Sequence, residues 1–508
     1  MTRKPAGSSP LVVFGFDAGD PRFLRQWGAD GTLPTVGSIL ERGCWARTSG
    51  PEMFCEHGMW VSLVSGESRA KHGYHYFRQL VPRTYDLAPA RGRFLDVQPF
   101  WRRLGKEQRL AVVDVPDVAS PSPQPGFQVS EWATHYPYFP AETYPPELIQ
   151  KVEESFGPRR VIHEKPDATK DEDLDIYRQL MDRVRRKGEL CRELLSDDGF
   201  DLVFVVFGEC HTGGHQFWKY QTSPGGSARE AGELTDAVKN LYQAIDRELG
   251  LVLEELGGDP NVFVVSSVGL KPQWPAQGLN EAVCHRLGYQ HSPEAQPGFN
   301  PVHTLRRLLP QSLRDRLSQV LSREAQETLI SDKFKSSTDW SRTRIFCIPS
   351  LYTGQFRVNL MGREPQGTVE PGVDYDRTLD EFERDLNQFI DPTTGKAAIK
   401  TVFRTRDLFG GDPPEILPDL FAEWREAEHW VERVVHPRAE ICQEKTDFHR
   451  GTDHAPHGFV AAAGPDVSAR GDLGDVCPLS LAPTLLSHFQ VEADDLPGEA
   501  LEGMSRRD

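Results

Sequence analysis

The chain has 508 residues, more than one ordinary domain holds, with 75 acidic against 58 basic residues and a formal net charge of −17. That length points to a large α/β core carrying an insertion. The acidic balance excludes a general nucleic-acid binder, whose affinity rests on Lys and Arg against phosphates, and no stretch of about 18 apolar residues exists to span a bilayer.

The first strand is Leu11 to Phe16, and it ends in Asp17. Leu110 to Val113 reads as a second strand. Asp182 to Leu195 interleaves charges with Val184, Leu190 and Leu194 at helical spacing, so it predicts an amphipathic helix. Leu202 to Phe207 is a Val- and Phe-rich run of the kind buried on both faces of a parallel sheet. It runs out into His211 and His215, two imidazoles four residues apart at the open end of a strand, where α/β proteins place their chemistry and where a metal ion would sit. A second amphipathic helix follows over Leu234 to Leu256, then a strand at Val262 to Val265. Strands alternating with helices in this way predict a parallel sheet with helices on both faces.

From Lys271 to Arg344 the texture becomes Pro-rich and then Leu- and Arg-rich, with a helical stretch over Pro301 to Leu329, and it reads as an inserted cap. The expected organisation is a core first part over 1–270, the cap over 271–344 and a core second part over 345–508. Residues after Gly498 are charged and expected to fray. Eight cysteines without CxxC spacing favour free thiols over a disulfide framework. With no apolar segment ahead of Leu11 to act as an export signal, the cytoplasm is the expected compartment.

Several fragments together resemble the type I phosphodiesterase/nucleotide pyrophosphatase branch of the alkaline phosphatase superfamily. They are Phe14-Gly-Phe-Asp17, Leu33-Pro34, Trp60-Val-Ser62-Leu-Val-Ser-Gly66 with Lys71-His72-Gly73, Asn359-Leu-Met-Gly-Arg363-Glu-Pro365, Pro418-Asp419 and His454-Ala-Pro-His-Gly458 with Gly464-Pro465. The resemblance spans nearly the whole chain in order. It implies an α/β, alkaline-phosphatase-like fold, a central mostly parallel sheet sandwiched by helices with an inserted cap. It also implies two metal ions, usually zinc, around a Thr or Ser nucleophile that attacks phosphorus.

On that pattern Asp17 matches the first ligand and His454 the last. The expected Asp-x-x-x-His ligand pair reads His211 and His215, an exchange that keeps coordinating side chains. The nucleophile slot falls on Glu56, beside Cys55, and neither offers the usual hydroxyl. Where the pattern has Ser-Asp-His-Gly, the chain has Ser266-Ser267-Val268-Gly269, so two ligands are missing. The expectation is therefore one retained cation on His211, His215 and His454, zinc favoured with iron or manganese as alternatives. Asp17 is then a further ligand or a partner of one, and Glu56 is the catalytic carboxylate.

Each residue also has a plainer role: Asp17 as a turn cap, Glu56 as a helix cap or ion-pair member, and His57, His135 and Glu209 as ordinary hydrogen-bonding groups. Arg363 is either an anion contact or a structural ion pair. Two functions follow. One is a single-metal enzyme acting on a small phosphate ester or other small molecule, through metal-activated water or a carboxylate in place of Thr or Ser. The other is a catalytically silent relative that keeps the fold and a metal. Neither involves nucleic acid or a membrane, and the sequence leaves the oligomeric state open.

Overall fold

The computed structural model describes residues 9–54, 57–90, 95–118, 120–135, 139–196, 199–221, 231–294, 323–445 and 450–506. The chain divides into two compact units, Met1–Tyr74 with Arg91–Gln273 and Asp447–Asp508, and His75–Ala90 with Trp274–Thr446.

The first unit is built on a nine-stranded sheet. Its strands lie in the order Gly471–Val476, Cys44–Thr48, Gly458–Ala463, Asn261–Ser266, Leu11–Phe16, Leu202–Phe207, Leu110–Val113, Gly126–Ser130, Glu142–Tyr144. Only Gly458–Ala463 and Glu142–Tyr144 run against the rest. Side chains alternate across a strand. Val12, Phe14, Val203, Val205, Val262 and Val264 accordingly fill one hydrophobic core, while Leu11, Val13, Leu202, Phe204, Phe263 and Val265 fill another on the opposite face. That two-sided burial explains why these strands read as unbroken apolar runs.

Four expected strands are present with at most a residue of difference at each end. The helix expected from Asp182 begins earlier, at Lys170, where Thr169 and Glu172 form a reciprocal capping box. The helix expected over Leu234–Leu256 is Ala237–Leu256, preceded by a short 3-10 turn at Gly232–Leu234. The carboxyl ends of Leu11–Phe16, Leu202–Phe207 and Asn261–Ser266 lie side by side, which brings Asp17, Gly208 and Ser267 to one edge.

The second unit has its own core and two four-stranded sheets. One sheet orders Ile345–Ile348, Gly354–Val358, Leu420–Trp424 and Ile399–Arg404, with the helix Val373–Leu386 supplying Tyr375, Leu379, Phe382 and Leu386 to the core. This corrects the expected division: the second unit extends to 446 instead of 344 and takes in 75–90. The strands between Ile345 and Cys442 pair with one another and bury Ile345, Phe356, Leu420 and Trp424 in that separate core, so they add nothing to the nine-stranded sheet. Most of the expected 301–329 helix lies outside the described residues, and Arg323–Ser336 is helical.

The expected fraying after Gly498 is also corrected. Leu496 and Met504 sit in a core of the first unit, the Leu501 N–H donates to Thr484 Oγ1, and His488 Nε2 is 2.9 Å from the Met504 carbonyl oxygen. Burial of those apolar side chains outweighs the charged composition of the segment. Among the described residues no helix is long and apolar enough to cross a membrane.

Candidate functional site

Past Gly208 the strand Leu202–Phe207 becomes the helix Glu209–Gln221. His211 and His215 lie one helical turn apart and so share a face. The third imidazole comes from Thr452–Ala455, a strand paired antiparallel with Gly269–Pro272. Because alternate residues of a strand point the same way, Thr452 and His454 both reach His215. Thr452 Oγ1 is 2.7 Å from its Nδ1, and His454 Nε2 is 3.2 Å from its Nε2. His454 Nε2 is also 2.9 Å from His211 Nε2. The three rings thus form a triangle with centroids 4.8 to 5.1 Å apart.

Asp17 sets the protonation of this group. Its Oδ2 lies 2.8 Å from His211 Nδ1, and a carboxylate oxygen accepts, so the ring proton is assigned to Nδ1 and the Nε2 lone pair turns toward the other two rings. Burial pushes the His211 and His215 pKa values well below the ordinary histidine value, and the Arg450 charge adds to the effect. Neutral nitrogens directed at one another are what a cation requires of its ligands. Ligands ~2.0–2.1 Å from a tetrahedral zinc stand about 3.3 Å apart, close to the 2.9 and 3.2 Å seen. The three histidines form a group able to hold a metal ion, and their donor chemistry fits zinc, with iron or manganese as alternatives.

Gly213 and Gly214 let the helix carrying the histidines sit close to its neighbours. A Cβ at Gly213 would fall 2.2 Å from Leu241 Cδ1, and one at Gly214 would fall 2.4 Å from Leu270 Cδ1. Leu270 is the residue opposite His454. Two mid-helix glycines cost about 1 kcal/mol each, and here they accompany a close fit between the helix and the strand pair that presents His454.

Asp17 was expected among the ligands, and the structure places it behind His211, with both oxygens engaged. Oδ2 meets His211, while Oδ1 accepts from Trp60 Nε1 at 2.7 Å and from Ser267 Oγ at 3.2 Å. Ser267 Oγ in turn accepts the Ala18 N–H at 3.0 Å. Ala18 itself adopts the left-handed region, φ +48°, a conformation that costs a non-glycine residue energy and is held here by its surroundings. Gly15 makes space for the indole: a Cβ there would lie 2.7 Å from Trp60 Cη2. At the position where the family resemblance implies a ligand Asp, then, stands Ser267, and its hydroxyl and the Trp60 indole N–H both donate to Asp17 Oδ1.

Of the other candidates, His135 joins the site, its ring stacked on His211 with centroids 3.5 Å apart. Its Nδ1 is 2.8 Å from Thr212 Oγ1, and its Nε2 is 3.6 Å from Glu164 Oε1. Glu164 pairs with Arg450. Gly208 permits this approach, since a Cβ there would meet the His135 backbone nitrogen at 2.6 Å. Glu209 does not join. The segment is helical, and Glu209 turns away to pair with Arg183 at 2.7 Å. His57 is near enough to lower the His211 pKa by its charge. His72 accepts the Tyr74 N–H and meets Ser62 Oγ at 2.9 Å, a structural role. Glu56 and Cys55 lie outside the described residues.

Sequence reasoning missed the roles of Trp60, Ser267 and Thr452, and also Glu164 and Arg450. The period-2 relation of Thr452 to His454 was the one available signal. The other contacts join segments up to 286 residues apart.

A mostly parallel α/β sheet with three imidazoles gathered near its strand ends defines an α/β protein with a histidine group able to hold a metal ion. The chain belongs to the type I phosphodiesterase/nucleotide pyrophosphatase family, whose model matches residues 11–292. Among solved structures it is similar to phosphonoacetate hydrolase from Sinorhizobium meliloti 1021 in complex with phosphonoformate, at 14% identity and TM-score 0.47, covering 92% of each chain. It is also similar to murine ectonucleotide pyrophosphatase/phosphodiesterase 5, at 12% identity and TM-score 0.45, covering 97% of each chain. No curated protein matches.

Proposed function

We propose that this phosphodiesterase-family hydrolase is a single-cation enzyme, with zinc favoured over iron or manganese, acting on a small phosphate ester or another small molecule. The observation that carries the reading is the convergence of the Nε2 atoms of His211, His215 and His454, with the His211 proton drawn to Nδ1 by Asp17. A bound cation supplies Lewis-acid activation of water or of a phosphoryl oxygen.

The chain's own residues do the rest. Asp17 and Thr452 fix the orientations of His211 and His215 from behind, as partners of metal ligands do. Trp60 and Ser267 hold Asp17 in place, and their bonds to it stand where a second cation would compete. In this reading Glu56 occupies the nucleophile slot and acts as general base toward water. A carboxylate attacking phosphorus would leave a mixed anhydride, so turnover of a generic aryl phosphodiester is expected to be weak. The protein is assigned to the cytoplasm on its scattered free cysteines.

Elemental analysis of the purified protein tests the reading, with His211→Ala and His454→Ala beside it. About one cation per chain, lost in both variants, is expected. Two per chain would restore a two-metal phosphoryl-transfer site. None would favour the silent relative, a second reading supported by the complete hydrogen bonding of Asp17. Fast aryl phosphodiester turnover abolished by Glu56→Ala would overturn the proposed chemistry.

A further inference from the structure

The three imidazoles come from two elements, the helix Glu209–Gln221 and the strand Thr452–Ala455. The ladder bonds of that strand run to Gly269–Pro272, so the spacing between His454 and the helix rests on side-chain contacts. One is the close fit of Gly214 on Leu270. A second is polar and starts at Thr212, the residue after His211. Thr212 Oγ1 is 2.8 Å from His135 Nδ1, and the His135 ring lies on His211 with centroids 3.5 Å apart and planes at 13°. His135 Nε2 is 3.6 Å from Glu164 Oε1. The other oxygen, Glu164 Oε2, accepts from Arg450, two residues ahead of the strand that carries His454.

The joint between His135 and Glu164 is longer than a hydrogen bond. A Thr212 hydroxyl donating to Nδ1 leaves the ring proton on Nε2, facing the carboxylate, and away from water such a charge–dipole contact is little screened. Both loop residues are anchored by the backbone beside them. Ala133, two residues before His135, gives its N–H to Asp114 Oδ2 at 2.9 Å and accepts from Lys187 Nζ at 3.0 Å. Lys187 is fully buried, and its Nζ also donates to the Val206 carbonyl oxygen at 2.8 Å and lies 3.2 Å from Asp114 Oδ2. These three partners use all the donors of an ammonium. Lys165, next to Glu164, exchanges two backbone hydrogen bonds with the Gln216 side chain at 2.8 and 2.9 Å. Gln216 follows His215 on the helix. Buried charge pairs are a weak source of stability, and what they do here is fix where two loops sit.

We propose that His135 and Glu164 are positioning residues for the cation ligands. Through Thr212 at one end and Arg450 at the other, they hold the helix of His211 and His215 at a set spacing from the segment that enters His454. The inference rests on the three-imidazole cation reading. His135 is outside the group able to hold a cation, so it acts through His211, against whose face it lies, and Glu164 acts through His135. Ligands held at the right spacing before the cation arrives bind it more tightly, because less has to be ordered on binding.

The test combines zinc affinity of the full chain by competition with a chromogenic chelator, visible absorption of the cobalt(II)-loaded protein, and urea unfolding of the cation-free protein. Thr212→Val keeps the side-chain volume and removes the hydroxyl that meets His135. Glu164→Gln keeps the shape and removes the charge between His135 and Arg450. Each should weaken zinc at least fivefold and shift the cobalt bands, with cation-free unfolding midpoints close to wild type. Because both act through one chain of contacts, the double variant should be less than about twofold weaker than the worse single one. His135→Phe, which keeps a ring against His211 but no nitrogen, should match the double variant. Single effects that multiply fully, zinc affinity and cobalt bands unchanged in the single variants, or losses that track a lower cation-free midpoint would each overturn the proposal and leave the three-imidazole site standing. Wild-type protein that binds neither zinc nor cobalt would overturn both.

Discussion

Motif residues of equal prominence in the sequence serve opposite ends in the two units. In the first unit, Asp17, Trp60 and His454 belong to one connected group around three imidazoles. In the second, Arg363 and Asp419 are closed into a structural network. Arg363 donates to both Asp419 oxygens at 2.6 and 2.8 Å, Tyr375 donates to the same carboxylate, and Arg357 pairs with Glu364. Burial would push the Asp419 carboxyl up, but the Arg363 charge beside it holds it below the usual range. One network turns three imidazole nitrogens toward each other, and the other leaves almost nothing to offer a ligand. A motif match marks positions under physical constraint, and only the unused valence at those positions tells binding from packing.

The sharpest way to break this contrast is Asp419→Ala, which strands a buried Arg363. It should cost about 3–5 kcal/mol of stability, read as a fall in the urea midpoint, while the cation content of the protein that remains folded is unchanged. Asp17→Asn should do the reverse: cation affinity falls roughly 10- to 100-fold, as for other partners of metal-bound histidines, with only a small shift in melting, checked by competition with a chromogenic chelator. Gly15→Ala should cost about 1–3 kcal/mol by overpacking Val206 and Trp60, since the new methyl would lie 2.6 Å from Val206 Cγ2.

Acid supplies the finest test. His211 and His215 have folded pKa values below their unfolded one, so the unfolded chain takes up protons first as pH falls. Stability of the cation-free protein is then fully present above about 6.5 and declines below it. Urea unfolding at pH 7.5 and 5.5 measures this, and an unchanged midpoint would contradict it.

Much of the site was legible because it is local. A strand ending before two histidines one helical turn apart needs only periodicity to be read, and Leu202 to His215 contains all of it. The replacement of two ligands by Ser267 and Val268 was visible as a loss, but the consequence of Ser267 was not. Ser267 meets Asp17 across 250 positions of chain, and no spacing rule reports a hydrogen bond at that range. The unit boundary was misread for a related reason. The strands after Ile345 have the apolar texture of core strands, and texture does not say which sheet a strand will join.

The order of segments along the chain also sets a schedule. The second unit is complete in sequence by residue 446, before His454 and the strand Gly458–Ala463 that hydrogen-bonds both Asn261–Ser266 and Cys44–Thr48. On the ribosome, chains emerge from the N-terminus and domains tend to fold as units. The second unit therefore has all its residues while the first still lacks a strand between two others in its sheet and one of its three imidazoles. The nascent chain has to carry an open sheet edge until Gly458–Ala463 emerges, and this interval is when a mispaired strand would do the most harm.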